Sequence, residues 1–75
     1  MKKLTKNYAL YLMDEDHYMD ALEYFATRLM AARDPYTELE KLDSRMWDYA
    51  CEGEGEEEEQ WLRIYSALQL ALDAE

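Results

Sequence analysis

Leu4, Tyr8, Tyr11, Tyr18, Leu22, Phe25, Leu29 and Ala32 follow one another in steps of three and four, with Glu15 as the single polar interruption. Such spacing places apolar side chains along one side of a helix and predicts helical structure from about Thr5 to Arg33. An uncapped pattern longer than about 25 residues signals either a coiled coil or a break. Asp14-Glu15-Asp16 is the natural break point, with Asp14 or Asp16 capping a helix that begins at His17. The run Tyr8 to Met13 is apolar throughout and has no period, so a short buried strand is the alternative there, although no second strand is evident to pair with it.

Asp34-Pro35 punctuates the chain most strongly. Proline lacks an amide hydrogen and has a fixed φ, which suits the first helical position, and Asp34 is the capping residue before it. A helix from Pro35 to about Cys51 carries a stripe of Leu39, Leu42, Met46 and Tyr49, widened by Trp47 and Ala50. Glu52-Gly53-Glu54-Gly55 ends it, because glycine tolerates the left-handed backbone that terminates helices. A last helix from near Glu56 presents Trp61, Tyr65, Leu68 and Leu72, with Leu62 beside them. The β-branched residues are only Thr5, Thr27, Thr37 and Ile64, which argues against a sheet. The expected fold is all-α: one domain over residues 1–75, a small antiparallel three-helix bundle, or four helices if the first breaks near residues 14–16.

Length limits what such a bundle can do. A chain of 75 residues hides roughly 60% of its unfolded surface, and its core supplies about 3–5 kcal/mol. Against that stand 18 Asp and Glu and 8 Lys and Arg, a net charge of −10 that opposes compaction. The balance disfavours direct binding to nucleic acid or to an anionic membrane and favours a basic partner. An apolar content of 49% is too high for an acidic disordered tail. Met1-Lys2-Lys3 resembles the start of a secretory signal, but the apolar run after it is short and ends in the acidic triplet, so a cytoplasmic location is expected. Cys51 is the only cysteine, in keeping with a reducing compartment.

Catalytic chemistry is hard to assemble from these residues. His17 and Cys51 are each alone, whereas a nucleophilic site needs a base beside the nucleophile and a zinc site about four ligands. Asp14, Asp16 and Asp20 have the spacing of hard-cation ligands, but a calcium loop needs glycine and glutamate where this chain has Met19 and Phe25. Paired carboxylates need a desolvated pocket that so small a bundle has little room to build. The expectation is a non-enzymatic protein with no metal and no cofactor.

The acids gather in two stretches: Asp14, Glu15, Asp16, Asp20 and Glu23, then Asp43, Asp48, Glu52, Glu54, Glu56, Glu57, Glu58 and Glu59. Stabilising helix N-termini explains the placement of some, and solubility explains an excess. A second role is imitation of a nucleic acid. A single strand presents one charge per about 3.4 Å and a duplex one per about 1.7 Å, so a ~25 Å stretch of helix and turn needs about seven or about fifteen charges. Only the strand density is readily reached. Tyr24 and Tyr36 lie off the main stripes and suit an interface, since tyrosine combines contact area with a hydrogen-bonding tip.

Very short length, helical stripes, excess acid and scattered tyrosines together resemble the small phage-encoded inhibitors of bacterial defence, among them anti-restriction DNA mimics and acidic anti-CRISPR proteins. The resemblance covers the composition of the whole chain and rests on no motif. It implies occupation of a nucleic-acid channel on a basic protein or ribonucleoprotein in the bacterial host, with Lys2, Lys3 and Lys6 turned away from the contact. Two rivals remain: an immunity protein or antitoxin that neutralises a basic toxin, and a dimeric adaptor whose seam is the heptad run from Leu4 to Ala32.

Overall fold

The computed structural model describes residues 2–74, and the described residues contain helices and no strand. Helix α1 (Lys6–Leu12) starts where the Thr5 hydroxyl accepts the Tyr8 amide at 3.2 Å. It ends at Met13, and the strand alternative for this run is not realised. The break falls in the acidic triplet. Asp14 accepts the Asp16 amide at 2.9 Å and caps a 3₁₀ turn over Glu15–His17, so that α2 (Tyr18–Ala31) begins one residue later than the sequence suggests.

Asp34 caps α3 (Pro35–Ala50) as its position before proline implies, accepting the Thr37 amide at 3.3 Å and the Thr37 hydroxyl at 2.7 Å. Helix α4 (Glu56–Asp73) follows the glycine-containing connection. Gly55 has φ 105°, a conformation that costs other residues about 1 kcal/mol or more. The Glu57 carboxylate folds back over this connection and accepts the amides of Glu54 at 3.0 Å and Gly55 at 3.1 Å. A Cβ on Gly53 would stand 2.5 Å from the Glu57 carboxyl carbon, so the glycine leaves room for the cap.

The four-helix form is therefore the one adopted: α2, α3 and α4 run alternately up and down, and the short α1 packs across α2 and α3. Trp61 is fully buried near the centre, its ring 5.4 Å from Phe25 and edge-on to it, while its indole N–H donates to Asp43 Oδ1 at 2.6 Å. That arrangement joins α2, α3 and α4 at one point. Burial of an aromatic of this size contributes about 1.5–3 kcal/mol. The radius of gyration, 11.4 Å, matches the roughly 11 Å expected for a compact chain of this length.

Which residues enter the core differs from the periodic reading in several places. In α1 and at the Met13 that ends it, Ala9, Leu12 and Met13 are buried, Tyr8 is half-buried and Tyr11 is exposed. The break at Asp14 frees α1 from the phase of α2, and the inward positions fall to side chains without a hydroxyl to satisfy. Tyr24, placed off the stripe by its spacing, is 7% exposed and belongs to the core. In α4 the buried apolar set is Trp61, Ile64 and Leu68, and Leu62 is 51% exposed. In α3 the line Leu39, Leu42, Met46 and Ala50 is buried, with Trp47 and Tyr49 half-buried at its edge.

Candidate partner-binding site

Part of each acidic stretch meets the other in space. Asp14, Glu15 and Asp16 from the α1–α2 turn and Glu56 and Glu57 from the start of α4 line one cleft of about 280 Å³, with Leu10 and Met13 also lining it. Local sequence explains each half. The triplet is exposed because it stops a helix, and the four glutamates of α4 occupy its first turn, where the helix dipole favours negative charge. Helix α1 touches both halves: its first residue, Lys6, pairs with Glu52 at 3.4 Å, and its Leu10 lines the cleft with Glu56 and Glu57.

Not every predicted acid is free to meet a partner. Asp43 is half-buried under the Trp61 indole, and Glu57 is held by the loop amides. Glu52 is engaged by Lys6; Asp20 accepts the Tyr11 hydroxyl at 3.2 Å through Oδ2 but is exposed and lines a separate groove. Glu15, Asp16, Glu56, Glu58 and Glu59 are exposed around the cleft and along the first turn of α4, and Glu54 is exposed in the connection before it. Asp48 is exposed on α3 and Glu23 on α2, and neither lines the cleft.

The expected removal of the basic residues from this surface does not hold for Lys6, which sits inside the second acidic stretch. Lys2 lies elsewhere, 4.6 Å from the centre of the Tyr8 ring. Around it is a groove of about 830 Å³ between α1 and α2, lined by Tyr8, Tyr11, Tyr24, Asp20 and Glu23 together with Lys2, Thr5, Asn7 and Thr27. Burial, followed by the neighbouring Tyr24, Asp20 and Glu23, raises the Tyr8 phenol above its ordinary value. Tyr11 is raised as well, by burial and then by its bond to Asp20. Both phenols stay neutral near pH 7, so their rings face the groove without charge of their own.

Of the two tyrosines proposed from sequence for an interface, only Tyr36 is exposed. Its hydroxyl donates to Leu72 O at 3.3 Å, tying α3 to the end of α4. Tyr24 instead donates to Lys2 O at 2.6 Å and receives Arg28 at 3.1 Å. Tyr8 and Tyr11, which the heptad spacing places on the buried stripe, line the groove instead. The signal against that placement is the polar tip of tyrosine itself.

His17 stacks on Tyr11 with ring centres 3.8 Å apart, and Cys51 is exposed at the end of α3. Among the described residues no group of three or more His, Cys, Asp or Glu side chains has the geometry to hold a metal ion, and no helix is long and apolar enough to cross a membrane. Buried side-chain nitrogen and oxygen atoms without a hydrogen-bond partner are His17 Nδ1 and Gln60 Oε1, again among the described residues. What these surfaces offer chemically is negative charge and aromatic faces, both suited to cations. No family model matches the chain, and no curated protein or solved structure matches it.

Proposed function

We propose that the protein is a non-enzymatic inhibitor that sets its acidic end against the basic nucleic-acid-binding site of a bacterial defence protein or complex. The observation that carries this reading is the convergence of the exposed Asp14, Glu15 and Asp16 with the exposed Glu56 on one cleft, from turns some forty residues apart in sequence. Simple solubility does not require distant acids to be neighbours, and their repulsion opposes the fold. A surface made to meet cations benefits from that crowding, because a concentrated field accelerates encounter with an oppositely charged site.

Scale favours imitation of a single strand. The longest dimension of the molecule is 34 Å, a length over which a strand carries about ten charges and a duplex about twenty. All 18 acids of the chain would fall short of the duplex even if they shared one face. The heptad seam of the adaptor alternative is drawn into the protein's own core at Leu4, Phe25 and Leu29, which lends that alternative no support.

The test is kinetic and competitive. With a partner captured from a bacterial lysate, the association rate should fall at least tenfold between low and about 0.5 M salt, and nucleic acid and this protein should exclude one another. An on-rate indifferent to salt, or a ternary complex with nucleic acid, contradicts the reading. Capture of a single toxin that binds no nucleic acid moves the assignment to an immunity protein.

A further inference from the structure

The groove between α1 and α2 already displays how it treats a cation. Lys2 reaches over Tyr8, with its ammonium 4.6 Å from the ring centre, and Asp20 and Glu23 line the same space. Tyr24 stands perpendicular to Tyr8 at 5.1 Å, and Tyr11 lies nearly parallel to it at 5.6 Å, so one ring offers a face while its neighbours fix its orientation. About 830 Å³ remains open with Lys2 in place, which leaves room for a larger group.

We propose that this groove receives an arginine side chain of the basic partner, its guanidinium laid on Tyr8 in the position that Lys2 now holds and paired with Asp20 and Glu23. The assignment deepens the proposed function, on which the partner's basic character rests, by naming the side chain that is recognised. Guanidinium fits better than ammonium. It is planar, stacks on a ring and sheds water more readily, and its edge still carries donors for two carboxylates. Lys2 acts as an internal stand-in: it covers the ring in the free protein and gives way to a cation with more partners. The acidic end and the groove then divide the labour, the first attracting at long range and the second anchoring.

The probe is N-acetyl-arginine amide, titrated into the full chain and followed by the ring resonances of Tyr8 and Tyr24, with the neutral citrulline counterpart as control. Arginine should shift these rings saturably and citrulline should not. Lys2→Ala should tighten arginine binding about two- to fivefold by removing the competitor. A double variant, Asp20→Asn with Glu23→Gln, keeps the acceptor for Tyr11 and should weaken binding about threefold or more. Absence of a saturable shift in both the parent and the Lys2→Ala protein overturns the assignment, as does an equal response to citrulline or indifference to the double variant. The two proposals fail separately. Arginine binding without nucleic-acid competition removes only the mimicry, and competition that persists without arginine binding removes only the groove.

Discussion

Glu57 and Asp43 belong by sequence to the same acidic stretch as Glu56 and Glu58, yet the fold gives them different work. Glu57 caps the loop before α4, and Asp43 holds the indole of the fully buried Trp61. Replacing either with alanine should cost about 1 kcal/mol or more, which lowers the melting temperature by roughly 4–8 °C in a domain of this size. Glu58→Ala, on an exposed position, should shift it by less than about 0.5 kcal/mol and should instead slow association with the partner. Thermal melts of the three variants check this, and equal losses for all three would contradict the division. The distinction was invisible in the sequence, because a carboxylate that bonds to a nearby amide or a distant indole looks the same there as one that faces water. Tyr24 is a parallel case: its spacing put it outside the stripe, and only the fold shows its hydroxyl meeting Lys2 O and Arg28 inside the packed surface.

Helix ends were the most legible elements. Asp34-Pro35, the acidic triplet and the glycines of the α3–α4 connection each stop or start a helix for a local reason, and each does so within a residue or so of the position their chemistry implies. Phase was less legible. Ile64 and Ala9 are buried while Leu62 and Tyr11 are exposed, because the crossing of neighbouring helices, absent from any local pattern, decides which flank of a stripe faces inward. The α3 cap carries its own pH signature. Asp34 is held below its ordinary value of 3.8, first by the Thr37 hydroxyl and then by the Thr37 amide. A carboxyl lowered in the folded state contributes stability that is complete above the unfolded value and is lost as pH falls through the folded one. The gap in urea midpoint between the parent and Asp34→Ala should therefore be constant near pH 6 and shrink progressively below about pH 4. A gap that does not change with pH would show that the cap acts through something other than its charge.

Across the whole molecule, the net charge of −10 and the fold are opposed, with Lys6–Glu52 and Arg28–Glu38 as ion pairs among the described residues. Screening should then act in opposite directions on folding and on binding. Raising salt from about 0.05 to 0.5 M shortens the Debye length from roughly 14 to 4 Å and should stabilise the free protein by on the order of 1 kcal/mol, seen as a higher melting temperature. The same change should weaken the complex. A fall in melting temperature with salt would mean that attraction outweighs repulsion within the monomer. The meeting of residues 14–16 with residues 56 and 57 is the property that no local pattern contains, since it depends on how α1 crosses the bundle. The most direct measurement is therefore a comparison of capture from a bacterial lysate by the parent and by a variant carrying Glu15→Gln, Asp16→Asn, Glu56→Gln, Glu58→Gln and Glu59→Gln, each washed with excess single-stranded nucleic acid. The parent should retain a nucleic-acid-binding protein that the wash displaces, and the variant should retain at most about a tenth as much. Equal retention by both, undisturbed by the wash, would contradict the acidic end as the contact surface.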